Sequence, residues 1–332
     1  MSSTVLVTGY GGFLGAEICR QLLAEGFRVR GIARQAYPSW AALGVECVQG
    51  SILDAQLCVR AAHGVDAIVH TAALAGVWGP RRDYEATNVQ ATESLLQAAQ
   101  QLRVRAFVQT SSPSVTFDGS PQCGIDERVP YPTHWLCDYP RTKAISEQAV
   151  LAANAPDRLL TCALRPHLIW GVGDPHLIPR VLERCRSGRL RRVGAGTNLI
   201  DTVHVENAAR AHVLALKKML ACDTTASGKA YFITDGEPVA CWDWITTILR
   251  CGGLEPPKKS ISLANAYRAG AMLERIYRLL GIRAEPPMTR FVALQLGVDH
   301  YFSIDAARKD LGYEPQGSRQ KHVEALRAWL SP

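Results

Sequence analysis

Short apolar runs alternate with longer amphipathic segments through the first two-thirds of the chain. The apolar runs are rich in β-branched residues, and helical spacing of apolar positions appears between them, as in residues 16–25 and 88–101. Continuous apolar runs are typical of parallel strands buried on both faces. The pattern therefore predicts an α/β fold built on an open, doubly wound parallel sheet. Its predicted strands are Val5–Thr8, Arg28–Ala33, Glu46–Gly50, Ala67–His70, Ala106–Thr110 and Thr161–Arg165.

The regular alternation weakens after Pro166. Glycine and proline become denser there, as in residues 170–175 (WGVGDP) and 251–257 (CGGLEPP). We therefore expect a Rossmann-type nucleotide-binding domain over residues 1–165 and a smaller substrate-binding lobe formed mainly by residues 166–332. This prediction includes the alternative that some strands of residues 166–332 return to the first sheet.

Composition narrows the class of protein. The 332 residues carry 37 Lys and Arg against 30 Asp and Glu, and the net charge of +7 suits phosphate-bearing ligands without implying nucleic acid. The sequence shows neither an apolar stretch of about 20 residues nor a signal peptide, so we expect a cytoplasmic protein, with peripheral membrane contact left open. Ten scattered cysteines lack metal-site spacing, so we expect buried reduced thiols and no metal.

Two basic segments of the second part have more than one interpretation. Six arginines between residues 180 and 192 face one acid, Glu183, which fits either a solvated helix or a landing site for a phosphate or carboxylate. Residues 268–280 form a basic amphipathic pattern. That helix packs into the core, covers an apolar substrate or contacts a membrane surface. Its apolar positions are Ala269, Leu273, Ile276 and Leu280, and its basic positions are Arg268, Arg275 and Arg278.

A glycine-rich segment links the first predicted strand to the first helical pattern. Residues 8–15 read TGYGGFLG. Gly9 permits a tight turn, Gly12 lets a pyrophosphate approach the backbone, and Gly15 lets the helix pack closely on the strand. Free N–H groups at the helix N-terminus favour anions there. The segment predicts a dinucleotide site.

The end of the second strand bears on the cofactor. An NAD site usually carries an acidic residue there to bind the ribose 2′-hydroxyl, but residues 29–34 read VRGIAR. Arg34 is suited to a charge-assisted contact with a 2′-phosphate. We expect NADP, with NAD as the alternative and a purely solvated Arg34 as the competing interpretation.

Tyr139 and Lys143 are spaced to lie on one face of a helix. An ammonium beside a phenol stabilises the phenolate, so Lys143 is expected to lower the pKa of Tyr139 and allow proton transfer near neutral pH. Ser112 follows the strand Ala106–Thr110 and is placed to hydrogen-bond a carbonyl oxygen. These three residues are the candidate catalytic group.

With these motifs, the chain resembles the extended short-chain dehydrogenases/reductases from about Val5 to Gly312. In that family the tyrosine transfers a proton, the lysine holds the nicotinamide ribose and the serine polarises the substrate oxygen. By position these roles fall on Tyr139, Lys143 and Ser112. Further matching segments are residues 70–73 (HTAA), 88–92 (NVQAT), 110–112 (TSS), 164–169 (LRPHLI) and 201–207 (DTVHVEN).

The resemblance also implies the remaining cofactor contacts. An acidic residue that often binds adenine after the third strand is replaced here by Ser51, which weakens that single contact. The residues assigned to the cofactor are Gly9, Gly12, Phe13, Leu14, Gly15, Arg34, Asp54, Thr71, Ala72, Ala73, Asn88, Thr110, Tyr139, Lys143, Pro166, His167 and Ile169.

Within that family the chain is similar to the branch of 3β-hydroxysteroid dehydrogenases, sterol-4-carboxylate dehydrogenases and 2-alkyl-3-oxoalkanoate reductases. The last group implies NADPH-dependent reduction of a large apolar β-keto acid to the 3-hydroxy acid. Oxidation of a 3β-hydroxysterol or sterol 4-carboxylate is the alternative, and a non-enzymatic nucleotide-sensing protein is a remote one.

Several partners and substrate contacts follow as expectations from the same likeness. They are a homodimer formed through helices of the first domain, an assembly with other enzymes of a pathway, and a large apolar substrate. The second lobe, including the helix near Leu273, is expected to hold the alkyl chains, and Arg180 to receive the carboxylate. The substrate residues expected are Trp78, Ser112, Ser114, Trp170, Leu177, Arg180 and Leu199.

Overall fold

The computed structural model describes residues 2–331 and contains fifteen strands in that range. In chain order they are β1 Thr4–Thr8, β2 Arg28–Ala33, β3 Glu46–Gln49, β4 Ala67–His70, β5 Ala106–Thr110, β6 Gln122–Ile125, β7 Leu160–Pro166, β8 Ile169–Trp170, β9 Arg192–Val193, β10 Leu199–Ile200, β11 Val203–His204, β12 Lys229–Ile233, β13 Val239–Ala240, β14 Ser260–Ile261 and β15 His300–Phe302.

Twelve α-helices accompany these strands within the described residues. They are α1 Phe13–Ala24, α2 Pro38–Ala42, α3 Ala55–Ala62, α4 Arg81–Tyr84, α5 Ala91–Gln101, α6 Asp138–Ala152, α7 Leu177–Arg186, α8 Val205–Leu220, α9 Cys241–Cys251, α10 Leu263–Leu279, α11 Arg290–Gly297 and α12 Arg319–Leu330. A π-helical turn, Glu85–Gln90, joins α4 to α5.

Seven strands form one parallel sheet in the order β3-β2-β1-β4-β5-β7-β12. Each of the six strands expected from apolar runs is present, with bounds that differ by at most one residue. Apolar side chains from both faces of this sheet enter two separate cores under the flanking helices. The predicted doubly wound α/β fold is confirmed. The strand order reverses between β1 and β4, and open α/β sheets bind their ligands at the carboxyl ends of the strands at such a reversal.

The rest of the chain forms a smaller lobe, but neither unit is a continuous piece of sequence. Strand β12 pairs with β7 and completes the large sheet, and α8 packs against α1. Conversely, β6 leaves the first part of the chain to pair with β15 in a four-stranded sheet. The division into residues 1–165 and 166–332 therefore stays a prediction.

The lobe has its own core, centred on three tryptophans, Trp170, Trp242 and Trp244. Helix α10 contributes Ala266 to that core, whereas its last turns expose apolar side chains. Among the described residues, no helix has both the length and the apolar content needed to cross a membrane.

All ten cysteines are free thiols, but only half of them are buried. The expectation of buried thiols is wrong for Cys47, Cys123 and Cys222, which are exposed. Cys47 lies on β3, the edge strand of the large sheet, and Cys222 lies in the turn after α8, so neither position is covered by a neighbouring element.

Candidate active site

The glycine-rich segment forms a tight turn between β1 and α1. Gly9 adopts a positive φ of 70°, and its carbonyl oxygen accepts a hydrogen bond of 2.8 Å from the Gly12 N–H. A Cβ atom on Gly15 would lie 2.3 Å from that same oxygen, so no larger residue fits. Helix α1 begins at Phe13 without a side-chain cap and without an acid in its first turn. This arrangement fits a bound pyrophosphate, because the first N–H groups of the helix favour an anion.

A tyrosine that the sequence analysis missed covers this turn. The ring of Tyr37 lies where a Cβ atom on Gly11 would be, with 2.0 Å between the two positions. Tyr37 also packs edge-on against Tyr10, with 5.4 Å between ring centroids, and Tyr10 in turn covers Gly31. Only the folded chain brings Tyr37 to this turn, although an aromatic residue three positions after Arg34 is visible in the sequence.

The end of β4 is tied to the end of β1 by side chains. The Thr71 hydroxyl donates to the Thr8 carbonyl oxygen at 2.6 Å, and the Ala72 N–H donates to the Thr8 hydroxyl oxygen at 3.1 Å. The Thr8 hydroxyl also contacts His70 Nδ1 at 2.8 Å. These contacts hold residues 71–73, which were assigned to the cofactor, beside the glycine turn.

Asn88 lies inside the fold and joins three segments of the site. Its amide exchanges hydrogen bonds with the backbone of Leu74, at 2.7 and 3.1 Å, and donates to the hydroxyl of Thr142 on α6 at 3.1 Å. Asn88 belongs to the π-helical turn Glu85–Gln90, a kind of irregularity that is frequent at functional sites. In this structure it positions the loop after β4 and the helix that carries Tyr139.

Two serines follow β5 at the same edge of the sheet. The hydroxyl groups of Ser112 and Ser114 are 2.9 Å apart, and the Ser114 N–H donates to the Ser112 oxygen at 3.3 Å. Both side chains are half-buried. The Ser112 hydroxyl is also close enough to Tyr139 to influence the pKa of its phenol, so the structure brings these two predicted catalytic residues together.

The pKa of Tyr139 is raised above its ordinary value because burial disfavours the phenolate, and the hydrogen bond with Ser112 only partly offsets this effect. The spacing of Tyr139 and Lys143 predicted the opposite direction, a pKa lowered by a neighbouring ammonium. That expectation is wrong for this structure, because the Lys143 ammonium donates instead to the backbone oxygen of Thr110. Tyr139 is therefore a neutral phenol near pH 7, the form that donates a proton.

Lys143 is buried one turn after Tyr139, and its Nζ lies 2.6 Å from the Thr110 oxygen. Burial lowers its pKa to about 8, and the negative charge of Glu147 opposes that shift. Most molecules therefore carry a protonated Lys143 at neutral pH, and the ammonium donates its hydrogen bond to the Thr110 oxygen.

Thr110 is held in turn by a histidine from the second part of the chain. His212, on α8, has Nδ1 at 2.7 Å from the Ala208 carbonyl oxygen and Nε2 at 2.8 Å from the Thr110 hydroxyl. Burial lowers the pKa of His212 to about 4, so the ring is neutral, and it donates through Nδ1 and accepts through Nε2. The sequence analysis missed His212 because more than 100 residues separate it from Thr110.

Below Lys143 on the same helix lies a buried ion pair. Glu147 accepts from Arg165 of β7 through two nitrogens, at 2.6 Å from Nη2 and 3.0 Å from Nε. The Tyr131 hydroxyl donates to the same carboxylate at 2.6 Å. This pair fixes α6, and with it Tyr139 and Lys143, to the central sheet.

Arg34 extends from the end of β2 and is exposed, and no acid occupies residues 29–34. The two polar residues after β3 serve the backbone: the Ser51 hydroxyl accepts from the Leu53 N–H at 3.2 Å, and Asp54 caps α3 by accepting from the Leu57 N–H at 3.0 Å. The roles of Arg34 and Asp54 toward a cofactor stay predictions.

The segment assigned to the nicotinamide follows β7 directly. His167 is buried and lies 2.7 Å from His300 of β15, between Nε2 and Nδ1. Leu168 adopts a positive φ of 45°, a strained conformation for a leucine, between His167 and Ile169. Such strain is typical of functional turns, although the cofactor contacts of Pro166, His167 and Ile169 remain predictions.

The residues assigned to the substrate are dispersed around the second lobe. Trp170 is fully buried against Trp244, which gives it a packing role in this fold, and Leu199 lies exposed on β10. Leu177 is partly buried at the start of α7, and Arg180 on that helix forms an ion pair with Glu285. The substrate contacts of these four residues stay predictions.

Trp78, half-buried, borders the loop after β4. Burial raises the pKa of the Cys137 thiol, two residues before Tyr139, and the negative charge of Glu285 adds to this shift.

Arg180 is the ion-pair partner of Glu285. Its guanidinium is already matched by a carboxylate, which the sequence analysis did not foresee.

One histidine pair elsewhere superficially resembles a metal site. The ligand atoms of His204, Glu206 and His322 lie within 4.8 Å of one another. The two imidazole rings are stacked, however, with centroids 3.7 Å apart and 7° between their planes. Because the lone pair of a ring nitrogen lies in the ring plane, two parallel stacked rings do not direct their lone pairs at a single ion.

Comparison with known sequences places these residues in context. The sequence pattern of the 3-beta hydroxysteroid dehydrogenase/isomerase family matches residues 6–264. The chain is 45% identical to a 2-alkyl-3-oxoalkanoate reductase of Shewanella oneidensis, over 99% of this chain and 86% of the relative. It is 44% identical to a protein of the same name from Stenotrophomonas maltophilia, over 98% of each. A 3 beta-hydroxysteroid dehydrogenase/Delta 5-->4-isomerase of Mycobacterium tuberculosis is 37% identical, over 98% of this chain and 90% of the relative.

Solved structures agree with the fold. The crystal structure of gox2253 superposes with a TM-score of 0.78 at 26% identity and covers 99% of this chain and 98% of its own. MoeE5, solved with UDP-glucose and NAD, gives a TM-score of 0.74 at 24% identity and covers 98% of each chain.

Proposed function

The chain belongs to the 3-beta hydroxysteroid dehydrogenase/isomerase family and is an NAD(P)-dependent oxidoreductase, and we propose that it reduces the 3-keto group of 2-alkyl-3-oxoalkanoates to the 3-hydroxy acid. The observation that carries this proposal is the arrangement of Ser112, Tyr139 and Lys143 at the carboxyl end of β5, where the Lys143 ammonium bonds to the Thr110 carbonyl oxygen. A neutral phenol is the proton donor that a carbonyl reduction needs.

The residues of the chain divide the proton chemistry between them. NADPH, when bound, would supply the hydride that the carbonyl carbon of the substrate requires. The Tyr139 hydroxyl gives its proton to the carbonyl oxygen, which becomes the alcohol. Ser112 donates a hydrogen bond to that oxygen and stabilises the negative charge that develops there.

Lys143 has an indirect part in this reaction. Its ammonium, fixed by the Thr110 carbonyl and by His212 behind it, lies within one helical turn of Tyr139. We assign it to hold the nicotinamide ribose. Proton transfer leaves Tyr139 as a phenolate, and a proton from solvent must restore the phenol before the next turnover.

For the cofactor, we favour NADP over NAD. The support is the exposed guanidinium of Arg34 at the end of β2, together with the absence of an acid from residues 29–34. Ribose recognition in an NAD site needs a carboxylate at this place, whereas a 2′-phosphate needs a cation. Tyr37, which covers Gly11, forms the adjoining wall of the proposed adenosine site.

The substrate carboxylate is assigned to the arginine pair of α7. Glu285 bonds to Arg180 and lies 3.6 Å from Arg184, so two guanidinium groups share one carboxylate. Burial and the charge of Arg180 lower the pKa of Arg184, the charge of Glu285 opposes this shift, and a further anion would oppose it too. A β-keto acid supplies that anion. We therefore assign the carboxylate to Arg184 together with Arg180, in place of Arg180 alone.

Oxidation of a 3β-hydroxysterol, with or without a 4-carboxylate, is the second candidate. It is favoured by the likeness to the mycobacterial 3 beta-hydroxysteroid dehydrogenase/Delta 5-->4-isomerase, which is lower, at 37% identity, than the likeness to the two reductases. A sterol 4-carboxylate presents the same local β-oxygenated acid.

Two further expectations concern assembly. We propose a homodimer formed through helices of the nucleotide-binding domain, which light scattering on the purified chain tests. We also propose that the protein works beside other enzymes of its pathway and touches a membrane surface.

The deciding experiment supplies the purified protein with a long-chain 2-alkyl-3-keto acid and NADPH, beside a 3β-hydroxysterol with NAD or NADP, and identifies products by mass spectrometry. We expect the 3-hydroxy acid from the keto acid and no ketone from the sterol. Oxidation of the sterol alone would overturn the proposal and favour the second candidate. The Tyr139→Phe variant is the control for chemistry at this site.

A further inference from the structure

The last turns of α10 and the turn after it expose an unusual set of apolar side chains. Leu279 is 86% exposed and Leu280 is 68% exposed. Met272, Ile276 and Ile282 are exposed as well. We call residues 272–283 the apolar tip. Exposed apolar side chains scattered singly are ordinary, but a group of five within one short segment marks an interaction site.

The apolar tip is a built feature of the helix, because the opposite face of α10 is anchored. Ala266, Gly270 and Glu274 are buried along that face, and a Cβ atom on Gly270 would lie 2.6 Å from the Thr289 backbone. Met272, Ile276 and Leu279 recur at the spacing of a single helix face and point the other way. Close packing on one side therefore holds the apolar side chains out on the other.

Every exposed charge of this segment is positive. Residues 263–283 contain one acid, Glu274, and it is buried and bonded to the Arg290 backbone N–H at 2.7 Å and to Arg290 Nε at 2.8 Å. The basic residues of the segment are all exposed: Arg268, Arg275, Arg278 and Arg283. Arg268 and Arg275 fall on the same face as Met272 and Leu279.

We propose that the apolar tip docks on the surface of an anionic lipid bilayer. Apolar side chains of a helix enter the boundary between headgroups and acyl chains, and arginines beside them attract lipid phosphates. The charge pattern decides between occupants: a second copy of this chain, which would present the same positive segment, meets repulsion there, whereas an anionic bilayer satisfies both the apolar and the positive groups at once.

The tip also adjoins the catalytic side of the protein. Trp78, in the loop after β4, donates from Nε1 to the Ile282 carbonyl oxygen at 3.2 Å. Arg278 lies 5.5 Å above the centre of the Trp78 ring. A docked tip therefore places this loop at the lipid surface, where a long-chain keto acid would partition. This link to substrate rests on the proposed function, whereas the docking does not.

The test measures co-sedimentation of the whole protein with vesicles, in the absence of substrate. We expect binding to vesicles that contain phosphatidylglycerol, weaker binding at high salt, and little binding to pure phosphatidylcholine. The double variant Leu279→Ser with Leu280→Ser should bind at least about tenfold more weakly, because two apolar side chains that enter the bilayer are lost. Arg275→Glu with Arg283→Glu should weaken binding to the anionic vesicles by a similar factor.

The matched control replaces two exposed leucines outside the tip, Leu43→Ser and Leu53→Ser, and should bind as the unchanged protein does. All of these side chains are exposed, so each variant is expected to fold. Two results would overturn the proposal: no binding of the unchanged protein to anionic vesicles, or equal binding by the Leu279 and Leu280 variant. A shift of that variant from dimer to monomer would assign the tip to a second copy instead. Because no substrate is present, failure here leaves the proposed activity untouched.

Discussion

Glu147 and Arg165 form a buried ion pair, with 2.6 Å between Oε1 and Nη2 and exposures of 0% and 3% for the two side chains. Glu147 lies one helical turn after Lys143 on α6, and Arg165 lies on β7 beside the segment assigned to the nicotinamide. The pair thus couples the catalytic helix to the sheet, and the Arg165 guanidinium is covered further by the Phe232 ring at 5.1 Å. Its first consequence is for stability.

Replacing one partner, as in Arg165→Met, should lower the free energy of unfolding by about 3–5 kcal/mol, because Glu147 is then left charged without its cation. The double variant Arg165→Met with Glu147→Met removes both charges and should regain much of that loss. Guanidinium denaturation followed by circular dichroism measures both. Equal destabilisation by the single and double variants would contradict the pairing argument.

Tyr139→Phe should lower turnover by a hundredfold or more, about the contribution of a positioned general acid. Affinity for NADPH should stay close to that of the unchanged protein, because the hydroxyl is lost and the ring is kept. Steady-state kinetics and fluorescence titration of NADPH measure the two quantities, with Tyr301→Phe as the control. A variant that keeps its turnover would remove Tyr139 from the mechanism.

Arg34→Ala should weaken NADPH binding at least about tenfold, as expected for the loss of a charge-assisted hydrogen bond. Binding of NADH, which lacks the 2′-phosphate, should be unchanged. Calorimetric titration with both cofactors tests this, with the exposed Arg250→Ala as a control in the other lobe. If both cofactors lose affinity equally, Arg34 does not recognise the 2′-phosphate.

Two glycines of the turn should respond differently to alanine. At Gly15 a Cβ atom would lie 2.3 Å from the Gly9 oxygen, so Gly15→Ala should lower both the melting temperature and cofactor affinity. At Gly12 the nearest atom is 3.2 Å away, so Gly12→Ala should fold normally and lose affinity only, because its methyl group meets the pyrophosphate. Thermal unfolding combined with cofactor titration separates the two effects, and identical behaviour would argue against this assignment.

Lys143 should make stability depend on pH. Its pKa is lowered by burial to about 8 in the folded chain, against about 10.4 for an ordinary lysine. Between these values the unfolded chain holds more protons, so the contribution of Lys143 to the unfolding free energy rises with pH across that window. Near pH 7 the Lys143→Met variant should therefore have its largest gain in unfolding free energy over the unchanged protein. That gain should shrink toward pH 10.

Denaturation curves at several pH values check this, with the exposed Lys259→Met as the control. A difference between Lys143→Met and the unchanged protein that stays constant with pH would show that burial does not penalise the charged lysine.

Local patterns in the sequence determined much of this protein. Apolar runs fixed the strands of the sheet because strands buried on both faces require them. The glycine spacing of residues 9–15 determined the turn because Gly9 has a positive φ and Gly15 has no room for a Cβ atom. The spacing of Tyr139 and Lys143 placed both on one helix face. Each of these features depends on residues close together in the chain, so each can be predicted from the sequence alone.

The tertiary structure alone decided which distant residues meet. Glu147 and Arg165 sit on consecutive elements, but their pairing depends on how α6 lies against β7. His212 reaches Thr110 only because α8 returns to the large sheet, and Lys143 reaches the Thr110 carbonyl oxygen only because α6 lies beside the end of β5. Pairings of this kind follow from strand order and helix placement, and periodicity along the chain carries no information on either.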